Sequence, residues 1–264
     1  MSDVTTELEN KTELPEPEED ESGKMSFLEH LDELRKRLLH IAAYLFGGFC
    51  LCLFFSKQLY DFISRPLTHV LPEGQQLVFT KLTTPFTLYM KVAFLGGIFL
   101  TIPLTLYEVW KFIAPGLYKK EKRYIVPFLF FSVMLFVMGA AFCYTMVLER
   151  AYKFLILLGS SFTPMIEVKD YLDFTNMMIL GFGIIFEMPV LAAFLSMFGL
   201  VSAKFLLKKF KYAILVIVIL AAVISPTPDA LNLIVWTIPM IALYIVSIGV
   251  AAIFDRRRKK KELN

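Results

Sequence analysis

The sequence is poor in charged residues. Only 19% of its 264 residues are Asp, Glu, Lys or Arg, whereas 57% are hydrophobic and the mean hydropathy is +0.63. A soluble domain of this length usually carries about 25% charged residues, so this composition excludes a soluble globular protein. Since one helical crossing of a bilayer takes about 20 apolar residues, roughly six crossings would use about half of the chain. Little then remains for a separate soluble catalytic domain.

Residues with metal or redox chemistry are also scarce. The three cysteines (Cys50, Cys52 and Cys143) lie in apolar runs, where they act as small hydrophobes. No Cys/His spacing is typical of a zinc site or of a disulfide framework. The sequence also lacks G-x-G-x-x-G, Walker, H-E-x-x-H and G-x-S-x-G motifs. We therefore expect no metal, no cofactor and no enzymatic activity.

The N-terminus has little apolar content. Residues 1–24 contain nine acidic and two basic residues and carry a net charge of −7, which leaves +10 on the rest of the chain. Such a segment cannot bury enough apolar surface to fold, so we predict a disordered acidic cytoplasmic tail over residues 1–24. A cleaved signal peptide would need a basic start and an early apolar core, and this segment has neither.

Six apolar runs predict six transmembrane helices. They cover residues 38–55, 86–107, 124–148, 174–201, 212–224 and 230–254. The fifth run gives a helix of only about 20–25 Å, which is short of the ~30 Å hydrocarbon core. Pro226, Pro228 and Asp229 form a turn that separates it from the sixth. We predict an all-α integral membrane domain over residues 25–254, followed by a basic cytoplasmic tail over residues 255–264.

The distribution of Lys and Arg predicts the orientation, because cytoplasmic loops are enriched in these residues. With both termini inside, the cytoplasmic segments contain 19 Lys and Arg residues and the outer segments contain 6. Lys91, within the second span, can then extend to the outer interface. We expect the outer residues 149–173 to form an interfacial or cap-like structure, and both termini to lie in the cytoplasm.

Two acidic residues lie on predicted cytoplasmic elements beside the bilayer. Glu33 belongs to an amphipathic helix that starts at a capping box formed by Ser26 and Glu29 and leads into the first span. Its simplest role is an i,i+4 salt bridge with Arg37. Glu121 is the single acid among four flanking cations, which it can simply neutralise. Spacing alone favours these local roles.

Glu187 is the only ionisable residue of the predicted fourth span. A charged group in hydrocarbon costs about 2.5–3.5 kcal/mol, so such residues usually face a cavity or a partner. The structural alternative is a protonated carboxyl that bonds to a Thr or Tyr of a neighbouring helix. Pro189, together with Gly181 and Gly183, predicts a bend in this helix.

Four motifs in order along the chain resemble the TatC family, the large polytopic subunit of the twin-arginine (Tat) protein translocase. They are HLDELRKRL at 30–38, FIAP at 112–115 continuing through LY to Glu121, FEMP at 186–189, and TPD at 227–229 followed by IP at 238–239. The resemblance covers residues 25–254. It implies a glove-shaped bundle with short fifth and sixth helices in the bacterial inner (plasma) membrane, within a multimeric complex driven by the proton-motive force.

The resemblance also implies a receptor for signal peptides that carry two consecutive arginines. Glu33 and Glu121 occupy the positions of the family glutamates that contact those arginines, and Phe112 occupies an aromatic position of the same loop. Arginine binds carboxylates through a planar fork, whereas lysine offers a point charge, so paired carboxylates can require arginine. Glu187 would bind a polar residue of a single-span subunit of the TatA/TatB type.

One position departs from the family pattern. TatC proteins commonly have a glutamine shortly after the P-D dipeptide, as part of the polar patch that binds the single-span subunit. Here Asn232 lies one position early, which changes its direction around the helix by about 100°. Asn232 is retained as a candidate partner-binding residue.

Two other classes of function remain open at this point. A proton-coupled small-solute secondary transporter would use Glu187, although one central ionisable residue without inverted repeats argues against it. An intramembrane enzyme would need His30, His40 or His69 beside a nucleophile, and their predicted positions do not converge. Nucleic acid is not an expected partner. A non-enzymatic export receptor is the leading hypothesis.

Overall fold

A computed structural model describes residues 27–71, 75, 77–113, 125–159, 161–162, 165–224 and 230–262. Within these residues the chain is helical, with one isolated β-bridge between Val78 and Glu167. The helices are α1 (Phe27–Leu53), α2 (Ser56–Thr68), α3 (Thr84–Ile113), α4 (Ile125–Phe142), α5 (Leu148–Leu158), α6 (Val168–Ile185), α7 (Met188–Met197), α8 (Ala203–Lys208), α9 (Phe210–Ile224) and α10 (Ala230–Glu262). A π-helical turn, Cys143–Val147, connects α4 to α5.

In the described part of the chain, five helical segments are long and apolar enough to cross a bilayer. They are Leu28–Leu53, Thr84–Ile113, Val126–Leu158, Val168–Met197 and Leu233–Arg256. The apolar helix α9 has 15 residues. Its length of about 22 Å is below the ~30 Å of a hydrocarbon core, as the sequence predicts for the fifth span. The chain is therefore an all-helical, multi-pass membrane protein.

The expectation of a short sixth helix is wrong, because α10 has 33 residues. Pro239 lies inside α10 without ending it. The turn predicted at Pro226, Pro228 and Asp229 lies outside the described residues, between α9 and α10.

The fourth span also begins earlier than predicted, at Val168. It therefore includes Lys169, Asp170 and Asp173, and Glu187 is not its only ionisable residue. Lys91 of α3 forms an ion pair with Asp173 of α6. The expectation that Lys91 only extends to the interface thus missed a partner on a neighbouring helix.

Helices α1 and α3 run antiparallel in close contact. The His30 ring near the start of α1 stacks on Phe112 near the end of α3, while Gly48 contacts Gly97 farther along. A Cβ atom on Gly97 would lie 2.7 Å from the backbone nitrogen of Phe49, so this approach requires glycine. The contact fixes the register in which the polar side chains of the two helices meet.

The largest hydrophobic core of the described residues is formed mainly by α3, α6 and α10. Phe182 of α6 stacks on Trp236 of α10 with 4.9 Å between ring centroids, and both side chains are fully buried. A smaller cluster contains Trp110, Phe128 and Val190, together with Ala193. Because Trp110 and Phe128 lie near the end of α3 and the start of α4, this cluster marks the end of the bundle that also contains Glu33. We call it the Glu33 end.

At the opposite end, α2 packs beside the start of α6. The Tyr171 hydroxyl donates a hydrogen bond of 2.6 Å to the carbonyl of Ile63, and Tyr144 donates one of 2.7 Å to the carbonyl of Phe62. The isolated β-bridge between Val78 and Glu167 joins the segment just before α6 to the segment before α3. Residues 149–173 thus contain α5, the bridge and the first turn and a half of α6.

Candidate functional site

Glu33 lies on the amphipathic start of α1, where its side chain contacts the next turn of the same helix. Glu33 Oε1 accepts a hydrogen bond of 3.0 Å from Nη2 of Arg37, so the predicted i,i+4 pair is confirmed. The Glu33 side chain is 13% exposed, and its other oxygen, Oε2, is buried and has no hydrogen-bond partner among the described residues. The local ion pair therefore uses only half of the carboxylate.

A second carboxylate, which the sequence analysis missed, shares Arg37. Glu108 of α3 accepts a hydrogen bond of 2.8 Å from Arg37 Nη1 at its Oε2 atom. Its Oε1 atom accepts a longer contact of 3.4 Å from the Tyr44 hydroxyl, and His40 Nδ1 lies 3.8 Å from Oε2. The Glu108 side chain is only 4% exposed. The signal that could have revealed it is an acidic residue at the end of an otherwise apolar span.

Phe112 lies at the same end of the bundle as Glu33. Its ring stacks on His30 with 4.4 Å between centroids and an angle of 16° between the planes. His30 precedes Glu33 by about one helical turn, so α1 and α3 place an aromatic pair about one turn from Glu33. The structure thus places Phe112 at the Glu33 end, in contact with the helix that carries Glu33.

Glu121, the other predicted arginine-binding acid, lies outside the described residues. It belongs to the connection between Ile113, the last residue of α3, and Ile125, the first of α4. The rings of Trp110 and Phe128 lie 5.3 Å apart, so the described ends of this connection lie close together at the Glu33 end.

Glu187 lies at a break between α6 and α7. The helix is interrupted at Phe186 and Glu187 and resumes with Pro189 in its first turn, which confirms an interruption where the sequence predicts a bend. The Ser132 hydroxyl of α4 lies beside the Glu187 carboxyl and accepts a hydrogen bond of 3.2 Å from Trp110 Nε1. Glu187 Oε1 is buried and finds no hydrogen-bond partner in the described part of the chain. This carboxyl therefore keeps one open acceptor among apolar helices.

The remaining candidates add no further group to this site. Asn232 lies on the first turn of α10, and its side chain is outside the described part of the structure. Among the described residues, no three His, Cys, Asp or Glu side chains are placed to hold a metal ion. His69 follows α2 at the opposite end from His30 and His40.

Comparisons with known proteins agree on one family. The model of the family described as Sec-independent protein translocase protein (TatC) matches residues 29–239. The TatC protein of Koribacter versatilis is 47% identical over 243 residues, which cover 90% of each chain. The TatC protein of Desulforapulum autotrophicum is 39% identical over 243 residues, covering 92% of this chain and 90% of that protein.

Solved structures support the same assignment. A crystal structure of the twin-arginine translocase receptor TatC matches with a TM-score of 0.76 and 33% sequence identity, covering 84% of this chain and 98% of that one. A second crystal structure of that receptor, in DDM, gives a TM-score of 0.77 at the same identity. The names of these relatives are those of a protein translocase, not of a small-solute transporter or an enzyme. The chain belongs to the TatC family of Sec-independent protein translocase proteins.

Proposed function

We propose that the protein is the signal-peptide receptor and core subunit of a Tat translocase in a bacterial inner membrane. The Glu33 end would face the cytoplasm and bind the two consecutive arginines of a signal peptide. The excess of Lys and Arg in the segments at that side, 19 against 6, supports this orientation. Bound cargo would then be exported in the folded state with single-span subunits of the TatA/TatB type, in a multimeric complex.

The observation that carries the proposal is the half-used carboxylate of Glu33. One of its oxygens binds the guanidinium of Arg37, and the other has no partner within the part of the chain that the structure describes. Because Glu33 already binds the guanidinium group of Arg37, this carboxylate suits guanidinium groups. Its unpaired oxygen provides an acceptor for a second guanidinium group, that of the signal peptide. Since an arginine carries several fixed N–H donors and a lysine only a compact charge, this acceptor favours arginine.

Two neighbours complete the proposed site. Glu121 would supply the second carboxylate from the connection between α3 and α4, whose described ends lie at the Glu33 end. Phe112, stacked on His30, would pack against the arginine stems or against apolar residues of the signal peptide. Two adjacent guanidinium groups could then be bound at once.

Glu187 would serve a different step, the recruitment of a single-span subunit. Its Oε1 atom is a buried acceptor without a partner at a break in the fourth span. A polar side chain of an entering transmembrane helix would satisfy this acceptor, which in hydrocarbon has no water to bind. Asn232, near the start of α10, would contribute a second polar group.

The test measures signal-peptide binding by the unchanged protein and by its variants, each as the full chain in lipid nanodiscs. We expect Glu33→Gln to weaken binding of a fluorescent Arg-Arg signal peptide by about 1–3 kcal/mol, the size of a hydrogen bond to a charged group. We expect the same range for Glu121→Gln. The unchanged protein should bind a matched Lys-Lys peptide much more weakly than the Arg-Arg peptide.

The matched control is Asp32→Asn on the same helix. The Asp32 side chain is 64% exposed and pairs with Lys36 at 3.7 Å, away from Arg37. Its loss removes the same charge and should leave peptide affinity nearly unchanged. Equal binding of the Arg-Arg and Lys-Lys peptides, or an equal effect of Asp32→Asn and Glu33→Gln, would refute the proposed site.

A further inference from the structure

We propose that Glu108 is a positioning residue for signal-peptide recognition. By holding Arg37, it keeps one oxygen of Glu33 available for an arginine of the signal peptide. The inference rests on the proposed function of Glu33 and extends it to a residue that does not itself contact the peptide.

The first argument is the way in which Arg37 divides its donors. A guanidinium can give two parallel hydrogen bonds to one carboxylate, and this bidentate arrangement is the stronger one. Arg37 instead gives Nη1 to Glu108 at 2.8 Å and Nη2 to Glu33 at 3.0 Å. Two buried atoms of this pair, Glu33 Oε2 and Arg37 Nε, have no hydrogen-bond partner among the described residues. Glu108, the other carboxylate that binds Arg37 among the described residues, holds the guanidinium through Nη1. The guanidinium therefore meets Glu33 through Nη2 alone, and its Nε atom makes no hydrogen bond to the second Glu33 oxygen.

The second argument is charge. Glu33 and Glu108 together carry two negative charges, and Arg37 supplies one positive charge. These three side chains together keep one negative charge in excess at a largely buried place. An unbalanced charge that is shielded from water is unfavourable, so binding of one further cation is favoured there. The cluster is therefore prepared for a single additional guanidinium.

Removing the charge of Glu108 should remove both the unpaired oxygen of Glu33 and the excess negative charge of the cluster. In Glu108→Gln, the only remaining anion in the cluster is Glu33, so Arg37 is expected to bind both oxygens of that carboxylate through two of its nitrogens. The cluster then has no net charge and no open carboxylate oxygen. An arginine of the signal peptide would have to displace Arg37 before it could bind.

The experiment measures Arg-Arg peptide affinity of the full chain in lipid nanodiscs for two variants. Glu108→Gln preserves side-chain size and should bind the peptide about tenfold more weakly, as expected for competition with one charge-assisted hydrogen bond. The double variant Glu108→Gln/Arg37→Gln restores the net charge of −1 and leaves Glu33 without a resident guanidinium. It should bind within about threefold of the unchanged protein, a residual difference of well under 1 kcal/mol.

Tyr44→Phe is the matched control. It removes the 3.4 Å contact between the Tyr44 hydroxyl and Glu108 Oε1 but changes no charge. If Glu108 acts through Arg37, this variant should keep its peptide affinity. A loss equal to that of Glu108→Gln would indicate a packing role for Glu108 and would overturn the inference.

Restoration of peptide binding by Arg37→Gln in the Glu108→Gln background distinguishes the proposed role of Glu108 from a merely structural one. If Glu108→Gln binds normally, or if its loss is not reversed by Arg37→Gln, then Glu108 does not act through Arg37. If the single variant fails to accumulate, the double variant still decides, because a tenfold loss in it would overturn the inference. Equal binding of Arg-Arg and Lys-Lys peptides by the unchanged protein would instead refute the proposed function of Glu33.

Discussion

The contact between α1 and α3 makes a sharp prediction about Gly97. A Cβ atom at this position would lie 2.7 Å from the nitrogen of Phe49 and 3.0 Å from the carbonyl carbon of Gly48. Both are backbone atoms, so no side-chain rotation can relieve the contact. Ordinary contacts begin near 3.4 Å, so the two backbones would have to separate by about 0.7 Å. We expect Gly97→Ala to destabilise the protein by about 1–3 kcal/mol.

The matched control for Gly97→Ala is Gly47→Ala on α1. A Cβ atom on Gly47 meets no atom within 4 Å, so this variant keeps only the helix-stabilising effect of alanine. Comparison of the two variants removes that common effect. Thermal unfolding of the detergent-purified proteins should give a midpoint roughly 2–10 °C lower for Gly97→Ala than for Gly47→Ala. Equal midpoints would refute the close contact of α1 and α3.

Two further predictions concern polar groups within the spans. Lys91→Met and Asp173→Asn should each lower the thermal midpoint, and the double variant should recover part of the loss, giving a coupling free energy of about 1 kcal/mol; strictly additive losses would contradict the ion pair. Glu187→Ala should leave signal-peptide binding intact but weaken association with the single-span subunit by about 0.5–2 kcal/mol. Site-specific crosslinking measures that association, and an unchanged yield would remove Glu187 from the recruitment step.

Hydropathy predicts the helices of this fold better than their ends. Every predicted apolar run overlaps a helix, because burial of apolar surface in lipid depends on composition over about 20 residues. The ends differ where polar residues continue a helix, as they do at the start of α6 and along the basic end of α10. Charged residues can remain helical at a membrane interface. A helix predicted from a hydropathy threshold therefore ends too early. The helix α2 is similarly too polar to be recognised as part of a span.

The candidate site is likewise only partly predictable from the sequence. Glu33 and Arg37 are four residues apart, so their contact follows from helical spacing. The contact of Arg37 with Glu108 joins positions separated by 71 residues and depends on the register of α1 against α3. No local pattern encodes that register, because it is set by packing contacts such as the one at Gly97. Sequence spacing therefore predicts half of the cluster.

The local ion pair and the receptor role of Glu33 are not competing interpretations. A purely structural salt bridge would let Arg37 bind both oxygens of Glu33, because that arrangement is the stronger one. The described structure differs from this in one respect: Arg37 is shared with Glu108, and Glu33 Oε2 is left over. Under the proposed function, Glu108 would therefore determine whether Glu33 can bind a signal peptide in addition to forming its helical ion pair.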